Sequence, residues 1–340
     1  MYRLIRPLLF TMPPETAHRV SFAALDLAAR LRLLRGSALA AGPGGGVGVG
    51  FPHPLGVAGG LGKKAGHPRR PAPLRFWRPE GGTVTPRPQP GNPPPRLFRL
   101  PQAQALINRM GFNNAGVDAL VANVRASGYR GILGINIGKN KVTPNERAAD
   151  DYRFAFERVY PWASYVAVNI SSPNTQSLRE LQEDAALDAL LGALKEQQAF
   201  LANTHGRYVP LALKIAPDLD DAQIQAIARL LLQHRIDAVI ATNTTTDRSA
   251  VQGLPHAGEA GGLSGAPVAR SSLRVIRTLA ATLDGKVPII GVGGILSGQD
   301  AIDKIRAGAS LVQLYTGLIF RGPALVRECV RALANDPARV

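Results

Sequence analysis

Residues 131–170 read GILGINIGKNKVTPNERAADDYRFAFERVYPWASYVAVNI. A short β-branched run, Gly131 to Ile137, gives way to Thr143-Pro144-Asn145-Glu146, in which a capping threonine, a first-turn proline and a reciprocal glutamate open a helix expected to reach Tyr160. A second apolar run, Tyr165 to Ile170, follows. Strand, helix and strand in this order form the unit from which parallel sheets are built. The pattern repeats downstream, with strands expected at Pro210 to Ile215, Ala238 to Asn243, Pro288 to Val292 and Leu311 to Tyr315. Helices are expected over Leu178 to Ala202, Asp220 to His234, Ala266 to Thr282, Gln299 to Ala307 and Pro323 to Ala334. This succession of units favours a closed (β/α)8 barrel over an open doubly wound sheet, which would place a Gly-x-Gly-x-x-Gly turn between its first strand and helix; no such turn occurs.

A chain of 340 residues suits such a barrel plus an extension, and 45% apolar with 19% charged residues is the balance of a protein that buries a large core. The net charge of +16 is lopsided. Residues 1–100 carry 15 Lys and Arg against 3 Asp and Glu, whereas residues 101–340 carry 25 against 21. Without a helix-turn-helix, zinc finger or aromatic-basic strand signature, this asymmetry points to a solvated or membrane-facing N-terminal region and away from nucleic acid. The single cysteine, Cys329, shares a helix face with Leu325 and Leu333 and reads as core packing. The six histidines lack metal-ligand spacing, so no metal is expected, and no apolar run is long enough to span a bilayer.

Upstream of the barrel, Tyr2 to Phe10 and Glu15 to Leu34 read as two helices separated by Pro13-Pro14. The second carries an apolar stripe, Val20, Ala24, Leu27, Leu31 and Leu34, beside Arg19, Arg30, Arg32 and Arg35. Such a face packs on a domain or lies against anionic lipid. The chain thus divides into an extension (1–36), an atypical Gly/Pro/Arg-rich segment (37–81) and the remainder of the barrel (82–340).

Function in a barrel gathers at the C-terminal ends of its strands. Polar residues recur there: Asn136, Asn169, Lys214, Thr242 with Asn243, Gly293-Gly294, and Tyr315 with Thr316. Lys214 lies within the apolar run Pro210 to Ala216, where an unpaired charge is costly, which marks it as functional. Asn and Gly, by contrast, are ordinary strand-end residues when taken singly.

Two longer motifs add specificity. Val168-Asn169-Ile170-Ser171-Ser172-Pro173-Asn174-Thr175 and Ile107-Asn108-Arg109-Met110-Gly111-Phe112-Asn113-Asn114 closely resemble signature segments of the class 2 dihydroorotate dehydrogenases. Ile135-Asn136-Ile137-Gly138-Lys139-Asn140 and Ala241-Thr242-Asn243-Thr244-Thr245 extend the resemblance, which covers the helical extension and nearly all of residues 82–334. It implies oxidation of dihydroorotate to orotate in pyrimidine synthesis, with FMN taking the hydride and a membrane quinone reoxidising the flavin. By the same resemblance Ser172 is the base for the C5 proton, assisted by Thr175 and the wall formed by Phe112. Substrate contacts are implied for Lys63, Asn108, Arg109, Met110, Gly111, Phe112, Asn169, Asn174, Asn243 and Thr244. Amide side chains suit a flat, amide-rich anion because they both donate and accept. The flavin is implied to lie against Gly59, Gly60, Leu61, Gly62, Lys63, Thr83, Asn136, Asn169, Lys214 and Thr242, its phosphate near Gly265, Gly294, Tyr315 and Thr316. Serine in place of the cysteine base of the soluble classes, together with the extension, implies quinone as oxidant. A monomer held peripherally on the cytoplasmic side of the inner membrane is expected. Another FMN barrel or a catalytically impaired relative are the alternatives.

The resemblance weakens between residues 37 and 81. Gly62 and Lys64 stand where the family has Asp and Asn, and residues 68–81 carry four prolines and four arginines where it has a helix and the second strand. These residues are expected to be irregular, since proline breaks both elements. Compensating frame shifts in a GC-rich gene or its sequencing record would account for such a composition, and genuine divergence is the alternative.

Overall fold

A computed structural model describes residues 2–30, 54–62 and 79–336. In chain order the strands are β1 (Leu55–Gly62), β2 (Pro79–Val84), β3 (Leu97–Leu100), β4 (Ala105–Asn108), β5 (Gly134–Ile137), β6 (Tyr165–Asn169), β7 (Leu211–Ile215), β8 (Ala238–Ala241), β9 (Gly262–Gly265), β10 (Ile289–Val292) and β11 (Leu311–Leu314). The helices are α1 (Tyr2–Thr11), α2 (Pro14–Arg30), α3 (Val117–Ser127), α4 (Ala148–Val159), α5 (Asp184–His205), α6 (Asp221–Gln233), α7 (Ala269–Leu283), α8 (Gly298–Arg306), α9 (Thr316–Arg321) and α10 (Ala324–Ala334). Eight strands close into a parallel barrel in the order β1-β11-β10-β8-β7-β6-β5-β2, while β3, β4 and β9 form a small antiparallel sheet. The expected (β/α)8 architecture is therefore the observed one.

Side chains alternate across each strand, and the two faces differ in kind. Outward residues such as Ile135, Ile137, Val166, Val168, Leu211, Leu213 and Ile215 are buried against the surrounding helices in the largest apolar cluster. The inner cluster is smaller in side-chain size, with Ala58, Ala167, Ala212, Ala238, Ile240 and Ile290. Small inner residues leave room for polar ones of the same parity. Asn136, Asn169, Lys214 and Gln313 are all buried, one step beyond Gly134, Ala167, Ala212 and Leu311.

Several local expectations are corrected. Thr143 does not cap the helix that follows. Its Oγ1 is buried without a partner among the described residues, Pro144 is extended, Asn145–Arg147 form a 3-10 turn, and α4 begins only at Ala148. The turn that binds Thr143 N to Asn140 O, with buried Lys139 Nζ donating to the Thr143 carbonyl, holds this backbone instead. The helix expected from Leu178 begins as a 3-10 turn, Leu178–Gln182, and becomes α5 at Asp184. Residues 79–81 are not irregular. Pro79, Glu80 and Gly81 are strand residues of β2, with Glu80 opposite Gly134 and Gly81 opposite Ile135. Pro79 stands at the first position of the strand, where a missing N–H is tolerated. The rest of the atypical segment, residues 37–53 and 63–78, lies outside the described residues, as do Leu31 and Leu34 of the expected α2 stripe.

The extension docks through its polar groups and one aromatic side chain. Tyr2 Oη donates to Ile319 O and Arg6 to Phe320 O, while Phe10 packs edge-on against Phe320 at 5.5 Å. Arg99 on β3 donates to the carbonyls of Phe10 and Met12, and Arg96 pairs with Glu15 at 3.0 Å. Outside these contacts, Leu4, Leu8 and Leu27 remain 83%, 63% and 57% exposed. No helix among the described residues is long and apolar enough to cross a membrane.

Candidate active site

The strand ends and their following loops enclose a cavity of about 1010 Å3, its open mouth included. Sequence-predicted residues line most of it. From β1 and β2 come Gly59, Gly60 and Thr83; from the loop after β4 come Met110, Gly111 and Phe112, with Asn108 ending that strand. Asn169, Ser172 and Asn174 reach it from β6 and its loop, Lys214 from β7, and Thr242, Asn243 and Thr244 from beyond β8. Gly265, Gly294, Tyr315 and Thr316 complete it.

Other predicted residues lie elsewhere. Arg109 pairs with Glu259 at 2.6 Å and lies over the Phe98 ring at 4.6 Å, so its guanidinium is committed to holding the β4–β9 sheet, not to the cavity. Asn136 and Thr175 are buried just behind the wall. Leu61 and Gly62 belong to β1, but their side-chain environment, and Lys63 altogether, lie outside the described residues.

The amides are not independent of one another. Glu80, buried inside the barrel, accepts from Gly59 N at 3.1 Å, Asn136 Nδ2 at 2.9 Å, Tyr165 Oη at 3.1 Å and Gln313 Nε2 at 3.0 Å. An ionised carboxylate only accepts, so it dictates direction outward along a chain. Asn136 must then accept with Oδ1 from Thr83 Oγ1 at 2.6 Å, and Thr83 accepts from Asn169 Nδ2 at 3.0 Å. Asn169 Oδ1 in turn accepts from Asn243 Nδ2 at 3.2 Å. One carboxylate thereby orients three amides, two of which line the cavity. Gly134 makes this possible, since a Cβ there would lie 2.2 Å from the Tyr165 ring that reaches Glu80. Sequence reasoning missed Glu80 and Gln313; the one available signal was an acidic residue on the inner parity of a barrel strand.

Ser172 lies 6% exposed on the cavity wall, and its Oγ accepts from Asn174 N at 3.2 Å, a bond that fixes the hydroxyl's position while leaving its proton free. Thr175 Oγ1 nearby in sequence is buried and has no partner among the described residues. Asn174 Nδ2 donates to Asn108 Oδ1 at 3.2 Å, joining the two motif segments across the cavity. Burial lowers the Lys214 pKa, and the Glu80 carboxylate opposes that shift. Burial also pushes the Tyr315 phenol up to about 12, so it stays protonated.

The glycines form a cradle at the other side of the site. Gly294 has φ +74°, and a Cβ would lie 2.4 Å from Ala269 Cα, so only glycine allows the turn after β10 to pack against the start of α7. Thr316 Oγ1 donates to Ser264 Oγ at 2.8 Å and ties the ends of β9 and β11 together. Backbone amides in such a turn suit a phosphate. The residues present therefore fit a phosphorylated planar cofactor: a glycine turn at one side of the cavity and a buried lysine among amides at the other.

Fold and cavity together define a (β/α)8-barrel enzyme with a polar cavity at the carboxyl ends of its strands. Residues 46–336 match the family model described as dihydroorotate dehydrogenase. The chain is similar to the dihydroorotate dehydrogenase (quinone) of Thiobacillus denitrificans, at 65% identity over 98% of this chain and 100% of that protein. It is 61% identical to the protein of the same name from Burkholderia multivorans over 99% of both. The crystal structure of DHODH from Eimeria tenella in its ligand-free form superposes with a TM-score of 0.84 at 36% identity, covering 95% of this chain and 94% of that one. The complex of that enzyme with ferulenol gives 0.83 at 34% identity, over 96% and 94%. The chain belongs to the dihydroorotate dehydrogenase family, whose members use a flavin.

Proposed function

We propose that this chain oxidises dihydroorotate to orotate, with FMN as its flavin and a membrane quinone as final acceptor. The observation that carries the reading is the convergence of Ser172, four asparagines and Lys214 on one cavity. Asn108, Asn169, Asn174 and Asn243 present the mixed donors and acceptors that a cyclic amide with a carboxylate requires. Their directions are held by Glu80 and by each other, so little reorganisation accompanies binding.

The bound flavin supplies the hydride acceptor. Ser172 Oγ, positioned by Asn174 N, takes the C5 proton of the substrate as hydride leaves C6, and the hydroxyl proton passes toward Thr175, whose Oγ1 is free to accept it. Phe112 shields this wall from water. Lys214, which lines the cavity, would hold the flavin and, when protonated, would favour negative charge developing on it. Gly59, Gly60, Thr83 and Thr242 would lie along the cofactor, with Gly265, Gly294 and Thr316 at its phosphate.

The reading extends to location. Exposed Leu4, Ile5, Leu8, Val20 and Leu27 on α1 and α2, beside Arg6 and Arg19, support peripheral attachment of a monomer to the cytoplasmic face of the inner membrane. Anaerobic mixing of the purified full-length protein with dihydroorotate tests the reaction: the visible flavin absorbance should bleach and return on adding a quinone. A flavin that dihydroorotate leaves oxidised overturns the proposal.

A further inference from the structure

Lys304 on α8 is a buried lysine that the chemistry above does not use. It is 1% exposed, and Nζ donates to Ser272 Oγ at 2.7 Å and, more weakly, to Ala269 O at 3.5 Å. No carboxylate lies within 4.0 Å of it among the described residues. The two acidic residues of its own helix are engaged elsewhere: Asp300 accepts from Leu296 N and Ser297 Oγ, and Asp303 from Gln299 Nε2. A buried cation without a counter-ion is expensive in an isolated fold.

Its hydrogen-bond partners lead to one place. Ser272 Oγ donates to Val292 O at 2.6 Å, the carbonyl immediately before Gly293-Gly294, and a Cβ on Gly293 would meet the Ser272 side chain at 3.6 Å. Ala269, the other partner, is the residue on which Gly294 packs. Lys304 thus stands one hydrogen-bonded layer behind the glycine turn of the cofactor cradle, holding both sides of it.

We propose that Lys304 is a positioning residue whose charge, set behind the Gly293-Gly294 turn through Ser272, makes the site selective for a flavin bearing a phosphate dianion. The inference rests on the flavin reading above. A dianion in the cradle supplies the missing counter-charge, and the low-dielectric surroundings leave the attraction largely unscreened. Burial supports the coupling, because it brings the lysine's pKa down to about 7, so a neighbouring dianion decides its protonation.

The test compares FMN with riboflavin, which lacks only the phosphate. Full-length protein stripped of flavin is titrated with each, following quenching of flavin fluorescence. In Lys304→Met, FMN affinity should fall at least tenfold while riboflavin affinity stays within twofold. Ser272→Ala keeps the charge but cuts its link to the turn, and should shift the same ratio in the same direction by a smaller factor; it carries the test if the methionine variant does not fold. Equal losses for both flavins, or no change in either, overturn the proposal. Wild-type protein that binds neither flavin overturns the flavin reading itself, a separate outcome.

Discussion

Ser172 and Glu80 represent two ways in which a single side chain matters here. Ser172 is an ordinary hydroxyl made special by position: one backbone amide holds it on the cavity wall, leaving its proton free. Replacing it with alanine removes the proton acceptor but not the cavity. Ser172→Ala should bind flavin and orotate normally and slow single-turnover flavin reduction by dihydroorotate by at least about 100-fold, the low end of general-base effects. Rapid-mixing absorbance checks this, and near-normal reduction would remove Ser172 from the role. Glu80 never reaches the cavity, yet it anchors donors from four other strands. Glu80→Ala strands those donors inside the barrel, where each buried polar group left without a partner costs about 1–3 kcal/mol. Calorimetry should therefore find a marked fall in Tm, with loss of bound flavin. Glu80 could not be recognised from sequence because its partners, spread from Gly59 to Gln313, meet only when the barrel closes. Asn136, Asn169 and Asn243 were legible at the ends of their strand patterns, and Asn108 and Asn174 through the two motifs that resemble the family.

At the scale of elements, periodicity located the strands well and the helix starts less well. The box expected at Thr143 fails because a neighbouring turn claims that backbone, whereas α6 carries a complete one: Gln223 N donates to Asp220 Oδ1 at 2.8 Å and Asp220 N to Gln223 Oε1 at 3.0 Å. Comparable local chemistry, Thr with Glu at one helix and Asp with Gln at the other, succeeds or fails according to what surrounds it. The extension shows the same dependence. Its polar groups fasten it to α9 and β3, leaving leucines outward. Deleting residues 1–36 should weaken binding to vesicles containing anionic lipid and slow reduction of long-chain quinones, while flavin reduction by dihydroorotate stays within a few-fold of the full chain. Vesicle sedimentation checks the first part, and equal binding by both proteins would count against the interfacial role.

Across the whole molecule, the buried cation at Lys304 links stability to pH. Its pKa falls from 10.5 to about 7 on folding, chiefly through burial, with Asp300 and Asp303 opposing and Arg277 assisting. On α10, which also packs against α8, Glu328 is paired with Arg321, and β10 and β11 bring no charge. Below pH 7 both states hold the proton and the folded one bears the full cost of burying it. Between pH 7 and 10.5 the unfolded chain binds more protons, so stability from this group rises with pH, by at most about 1.4 kcal/mol per unit. Denaturant titrations of flavin-free protein should show wild type gaining on Lys304→Met from pH 7 to 9, and a constant difference would exclude the linkage. The sequence by itself determined the alternation of strand and helix, the strand-end positions of Asn169 and Lys214, and the chemistry of the motifs around Asn108 and Ser172, because each is written in contiguous residues. Only the tertiary structure decided that Arg109 turns to Glu259, that Pro79–Gly81 complete a strand, that Glu80 orients the amides and that Lys304 backs the glycine turn. Those outcomes depend on groups far apart in the chain, and only barrel closure determines which donor meets which acceptor.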